Sequence, residues 1–204
     1  MHTVHSLTPD RAPDVAAVFC DAFHRYPVMS FVVGPGHPDY DRRLTRLIDL
    51  FVQRRVRQGA PVLGVEDGGQ LVAAATMTPP GEPAFGADLL ALADAVWGDL
   101  GEEARARYVA YVEATQPFFV PSGRHHHLNM IGVRASHAGR GLARPLLDAV
   151  AAIAREDPAS TGISLTTEVP RNLTLYQHFG YEIVAHARVA PELETWGLFR
   201  RAAP

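Results

Sequence analysis

The sequence predicts an α+β fold, a mixed and mostly antiparallel sheet with helices outside it. Three observations carry that expectation. Stretches with apolar residues at helical spacing alternate with short apolar runs of strand length, so helices and strands interleave along the chain. Two of the runs, Pro61 to Glu66 and Leu71 to Thr78, flank Asp67-Gly68-Gly69 and read as an antiparallel hairpin. A third run, ending at Val133, passes through a glycine-rich loop into a helix.

The bulk properties narrow the class. A chain of 204 residues with 47% hydrophobic composition and no long apolar run suits a single domain over residues 1–204. Its net charge is −3 with a pI of about 6.3, and acidic and basic residues are interspersed, so neither nucleic acid nor an anionic membrane is an expected partner. The opening MHTVHSLTPDRAP lacks the apolar core of a secretion signal, and the expected location is the cytoplasm. Cys20 is the single cysteine, set among Val18, Phe19 and Phe23, which fits a buried thiol better than a nucleophile. Every basic residue is an arginine; with the many alanines, this points to a GC-rich bacterial genome.

Taken in order, Thr8-Pro9-Asp10 opens a helix whose face is Val15, Val18, Phe19, Ala22 and Phe23, and which stops before Pro27. Tyr26 to Pro38, rich in Pro, Gly and aromatics, reads as a surface loop carrying Phe31, Val32 and Val33. Leu44, Leu47, Ile48, Phe51, Val52 and Arg55 then recur at helical period up to Gly59, with Arg42, Arg43, Arg46, Arg54 and Arg57 as the expected solvated face. After the hairpin, Pro79 to Pro83 breaks the pattern. Helices are predicted over 87–100 and 102–116, and their aromatics Trp97, Tyr108 and Tyr111, with Phe118 and Phe119 just beyond, either line a pocket or seal the segment against the sheet.

His125-His126-His127 opens the next strand. Alternation puts His125 and His127 on one face and His126 on the other, so at most two share an ion, and no cysteine or H-E-x-x-H spacing completes a site; no metal is expected. Gly132 inside the strand signals a bulge or a close backbone approach. Leu142, Leu146, Leu147, Val150 and Ile153 recur at helical spacing, and Pro145, comfortable only in a first turn, starts that helix near Gly141 or Leu142. The amides of residues 139 to 144 then lack intrahelical partners and suit an anion, with Arg140 and Arg144 adding charge. Ile163 to Val169 is the partner strand, a short helix follows Pro170 and ends at Gly180, and Tyr181 to Ala190 and Glu194 to Arg200 supply two final strands.

Two of these segments resemble the GNAT superfamily of N-acetyltransferases. Its cofactor loop, Arg or Gln, two residues, Gly, one residue, then Gly or Ala, falls on Ala138, Gly139, Arg140, Gly141, Leu142 and Ala143, with Ala138 departing from the pattern. Its closing motif falls on Asn172, Leu175-Tyr176 and Gly180-Tyr181. The resemblance implies a GNAT-like fold in which 84–120 is a helical insertion between the third and fourth strands. It implies acetyl-CoA as acyl donor, held by residues 138 to 144, by backbone amides at Ile131, Gly132 and Val133, and by Asn172 and Tyr176. The central strand would part from its neighbour to admit the pantetheine arm. Tyr176 would protonate the leaving thiolate, and Glu168, His127 or Asn129 would receive the ammonium proton. Tyr26, Phe31, Asn129, Trp97 and Phe119 would border the acceptor.

The expected activity is transfer of an acetyl group directly to a primary amine of a small molecule, by a monomer or homodimer. Two alternatives stand beside it: a non-catalytic GNAT-fold acyl-CoA sensor, which Ala138 favours, and an acetyltransferase acting on protein amines, which needs an open groove.

Overall fold

A computed structural model describes residues 3–81 and 85–202. The start of the insertion at Ala84, with Glu82 and Pro83, lies outside the described residues. Seven strands form one sheet in the order β1-β2-β3-β4-β5-β7-β6. They are β1 (Val4–Ser6), β2 (Val62–Asp67), β3 (Gln70–Thr78), β4 (His126–Val133), β5 (Gly162–Thr167), β6 (Glu182–Ala190) and β7 (Leu193–Arg201). All neighbours are antiparallel except β4 and β5. This is the mixed, mostly antiparallel sheet that the sequence predicts, with β1 as a short edge strand that its pattern does not announce.

The helices are α1 (Ala12–Ala22), α2 (Pro27–Val33), α3 (Tyr40–Arg57), α4 (Ala87–Leu100), α5 (Glu102–Thr115), α6 (Ala143–Glu156) and α7 (Arg171–His178). Two apolar layers form on opposite sides of the sheet. One joins α1 to α5 with Leu71, Ala74 and Met130; the other joins α6 and α7 with Val72, Ala73, Leu128, Ile163 and Leu165. Among the described residues no helix is long and apolar enough to cross a membrane.

Two expectations are corrected. Pro27 to Val33 is a helix and not a loop, because Val28, Met29, Val32 and Val33 are all buried against the α1 and α3 layer, and this packing outweighs the loop-like composition around it. The arginine face of α3 is also only partly solvated. Arg43 is buried, with Nε donating to the Val33 carbonyl and Nη2 to the Leu100 carbonyl, both at 2.8 Å. It thereby ties α3 to the ends of α2 and α4. Arg42 and Arg46 reach Asp99 of α4, and Arg57 reaches Asp88. These half-exposed pairs each contribute about 0–1 kcal/mol and mainly fix where the inserted helices lie.

Strand β4 carries the irregularity that matters. Its register to β3 runs Thr76↔Met130 and then Met77↔Leu128, so Asn129 is an extra, bulged residue. The bulge therefore sits at Asn129 and not at Gly132. Its consequence is visible in the side chains: Leu128 and Ile131 face the α6 layer, whereas Met130 faces the α1 layer. Gly132 serves the close approach, because a Cβ there would lie 2.8 Å from the Ala22 Cβ and 3.1 Å from the Phe19 Cδ1. Helix α1 thus rests on bare backbone. Gly132→Ala is expected to lower stability by about 1–3 kcal/mol through overpacking, measured by thermal or denaturant unfolding; an unchanged midpoint would show that α1 is not held by this contact.

Candidate active site

The parallel pair β4–β5 is short. Only His126↔Ile163 and His127↔Ser164 are in register, after which the two strands part while β4 continues to Val133 and β5 to Thr167. Beyond His127, β4 has no strand on that side to take its backbone hydrogen bonds, and the two layers of the molecule meet through the gap. A cavity of about 210 Å³ fills it. Phe23 just after α1, with α2, α3 and α5, walls it on one side, residues 127–131 of β4 run along it, and Asn172 and Tyr176 close it from α7.

Glu168, just past β5, is buried in the cavity wall. Its Oε1 accepts from the Tyr111 hydroxyl at 2.8 Å and from the Thr195 hydroxyl at 2.7 Å. Burial raises its pKa, and the hydroxyls of Thr195, Tyr111 and Tyr26 offset only part of that rise. The Glu168 amide donates to the Tyr26 hydroxyl at 3.3 Å, which also hydrogen-bonds with Thr167 Oγ1 at 3.0 Å. Both phenols are held well above their ordinary pKa, first by burial and then by the Glu168 charge. A carboxylate arranged in this way is a stronger proton acceptor than one in water, and its hydroxyl neighbours fix its rotamer.

Tyr176 is buried from the α7 side and its pKa is pushed up to about 12, by burial first and Glu168 second. It is therefore protonated at neutral pH. His127 is half-buried, with Nδ1 2.7 Å from Ser164 Oγ, and burial, then Arg55, then His125 bring its pKa down to about 4. It is neutral at neutral pH and a weak base, which makes it the poorer of the two candidate proton acceptors. Asn129 accepts a hydrogen bond from Thr78 Oγ1 at 2.9 Å, and Asn172 Nδ2 donates to Thr167 Oγ1 at 3.3 Å. The histidine triplet divides as alternation requires: His125 and His127 both touch the Phe119 ring, whereas His126 turns to Ser160. Among the described residues no three metal-ligating side chains converge.

Of the residues that the sequence nominates for the acceptor, Tyr26 and Asn129 line the cavity, and Phe31, Trp97 and Phe119 do not. Phe31 is partly buried in the α1 layer, and the Trp97 ring lies behind Tyr108 with centroids 4.9 Å apart. Phe119 sits by the histidines at the β4 entrance. The insertion contributes Tyr108 and Tyr111 instead. Phe118 seals it to the sheet, its ring occupying the space where a Cβ at Gly197 would stand. Among the wall residues that the sequence does not nominate are Arg54, Arg55 and Met29. For Arg55 the signal was present, since it falls on the apolar stripe of α3; Thr195, which holds Glu168 from β7, has none.

The loop before α6 is shaped for an anion. Gly139 and Gly141 have φ of 78° and 75°, a left-handed conformation that glycine adopts without strain, and nothing lies within 4 Å of where a Cβ would project. Among the described residues the amides of Gly139, Gly141, Leu142 and Ala143 have no acceptor. Four unpaired donors at the start of a 14-residue helix fit a pyrophosphate. The expectation of free amides over 139 to 144 is corrected at Arg140 and Arg144, which donate to the His137 and Gly141 carbonyls at 3.4 and 3.2 Å, and the Ala138 amide likewise donates to the Ala135 carbonyl at 3.2 Å. Arg140 is exposed and 3.6 Å from Asp67, while Arg144 lies over the Phe179 ring and within 3.1 Å of His178. Gly141→Asp is expected to weaken CoA binding roughly tenfold or more, because it brings negative charge to the amides. Calorimetric titration of CoA into the folded variant measures this, and an unchanged Kd would remove the loop from the site.

The sequence model of the acetyltransferase (GNAT) family matches residues 20–181. Among solved structures, one from Corynebacterium glutamicum, described as histone acetyltransferase HPA2 and related acetyltransferase, is 18% identical with a TM-score of 0.71, covering 100% of this chain and 97% of that one. An N-acetyltransferase from Staphylococcus aureus is 13% identical with a TM-score of 0.58, covering 100% and 99%. The ribosomal-protein-S18-alanine N-acetyltransferase from Escherichia coli is 12% identical with a TM-score of 0.58, covering 100% and 96%. At these identities the likeness is one of fold. The family model spans the greater part of the chain, including the parted strands, the glycine loop and α7, and the chain belongs to the acetyltransferase (GNAT) family.

Proposed function

We propose that this protein moves an acetyl group from acetyl-CoA directly to a primary amine of a small molecule. The observation that carries the reading is the meeting of Glu168 and Tyr176 in one cavity, reached from opposite faces of the sheet through the gap between β4 and β5. The thioester supplies an activated acyl group and a thiolate leaving group. The residues of this chain supply the rest: pyrophosphate binding at Gly139 to Ala143, an arm site beside Asn172, and backbone amides of β4 near Ile131 to Val133 facing the carbonyl. Glu168 takes the proton from the ammonium, and Tyr176 gives one to the sulfur.

The two proton transfers reinforce one another. While Glu168 is ionised, its charge holds the Tyr176 proton in place. Once Glu168 has accepted the ammonium proton, that charge is gone and Tyr176 becomes the stronger acid, at the stage when the thiolate departs. A small acceptor is favoured over a protein amine because Tyr108 and Tyr111 of the insertion stand over the cavity. Enzymatic turnover is favoured over a sensor role because Glu168 is buried, positioned by two hydroxyls and raised in pKa, an arrangement that mere binding of an acyl-CoA does not require.

A screen of amines for thiol release from acetyl-CoA tests the reading as a whole; binding of CoA without release to any amine would favour the sensor. Tyr176→Phe is expected to lower kcat about 10²-fold while leaving the melting temperature nearly unchanged. Full activity with chemistry rate-limiting would move the acid elsewhere.

The pH dependence separates the candidate bases. A base must be unprotonated, so kcat/KM should rise with pH through the Glu168 pKa, which lies above the ordinary carboxylate value. Glu168→Gln, which keeps an acceptor for Tyr111 and Thr195, should remove that acidic limb and lower kcat/KM at neutral pH about 10²-fold. If the limb persists in the variant, it belongs to another group.

A further inference from the structure

The cavity holds opposite charges that do not neutralise each other. Glu168 is the carboxylate on its wall, and Arg54 and Arg55 enter from the last turns of α3. Their neighbours on the same helix, Arg42, Arg46 and Arg57, all reach aspartates of α4. Among the described residues Arg54 and Arg55 pair with no carboxylate, Glu168 included. Arg55 Nη1 donates to Gln58 Oε1 at 2.9 Å, which fixes the guanidinium and leaves most of its donors unused. Arg54 is braced by the Phe85 ring, 4.9 Å away.

Burial, then Arg54, lower the Arg55 pKa only to about 10, so it keeps its charge at neutral pH. The Arg55 guanidinium is partly withdrawn from water and has only the Gln58 side-chain oxygen in exchange, so it gains most from an anion that arrives with the ligand. The apolar walls of the same cavity include Phe23, Met29, Val32, Phe51 and Met130.

We propose that Arg55 and Arg54 recognise a carboxylate on the acceptor, which is then an amino carboxylic acid with an apolar or aromatic body, its amine at Glu168 and its carboxylate at the arginines. This rests on the transferase reading of the cavity and names the substrate class for it. The two arginines set specificity; the proton transfers belong to Glu168 and Tyr176.

The test is a panel of matched acceptors: leucine, phenylalanine, methionine and ω-amino acids of increasing length, each beside its carboxamide, assayed by thiol release from acetyl-CoA. At least one acid should exceed its carboxamide by tenfold or more in kcat/KM. Arg55→Met should abolish that preference by raising the acid's KM, with the KM for acetyl-CoA moving little. Carboxamides used as well as acids, or a preference that survives both Arg55→Met and Arg54→Met, would overturn the assignment. The wild-type comparison stands even if a variant folds poorly. If no amine in either series is acetylated, the transferase reading is what fails for this class, and binding decides the arginine site. Calorimetry of the N-acetylated acids against their carboxamides in the presence of CoA should show the acids tighter by tenfold or more, and equal affinities would overturn the proposal.

Discussion

The structure depends on one place where a sheet stops being a sheet. After two residue pairs β4 and β5 part, and the backbone groups that would have joined them face a cavity. An open sheet edge inside a protein is costly unless something else takes its hydrogen bonds. Here both strands are secured on their far sides, β4 by β3 over most of its length and β5 by β7 over all six of its residues, so the gap persists without unravelling either half. The bulge at Asn129 lies at the start of the split, where an extra residue bends β4 and exchanges the faces to which its side chains point. The layers on the two sides of the sheet, otherwise separated by it, share a single site.

That geometry explains the electrostatics. A carboxylate, four phenols, a histidine and two guanidiniums stand around one small space. Burial moves six of these groups away from their aqueous behaviour: Glu168, Tyr26, Tyr111 and Tyr176 upward, His127 and Arg55 downward. Hydroxyls from three separate elements, Tyr111 of α5, Thr195 of β7 and Tyr26 at the start of α2, surround Glu168 and limit its rise. Limited in this way, the carboxylate remains able to ionise while being a better base than an exposed one.

The insertion does two jobs with different faces. Its outer arginine–aspartate pairs and Arg43 anchor it to α3, and Arg107 Nε reaches the Val32 carbonyl of α2 at 3.2 Å. Its inner face offers Tyr108 and Tyr111 to the cavity while Trp97 supports the first of them from behind. Large aromatics are thus divided between wall and buttress.

By itself the sequence determined whatever is local. Gly139, Gly141 and Pro145 dictate a turn and a helix start from backbone sterics alone, and the periodicities of α3 and α6 follow from which faces must be buried. Tyr176 could be nominated because the family motif places it at a fixed spacing, and Glu168 only because it lies near the end of a predicted strand, beside His127 and Asn129 as equal candidates. Tertiary structure alone decided what lies opposite what. Whether Pro27 to Val33 is loop or helix depended on a core that other segments supply. Whether Arg43 is solvated or buried depended on the Leu100 carbonyl, and whether Arg55 belongs to a stripe or a site depended on the cavity that α3 happens to border. Likewise the sequence grouped Trp97 and Phe119 with Tyr108 and Tyr111 by composition, and only the rotation of α5 and the chain reversal after it separated wall from support. A one-dimensional pattern records which residues avoid water, but a side chain's neighbour across 27 or 57 residues is fixed by the packing of whole layers.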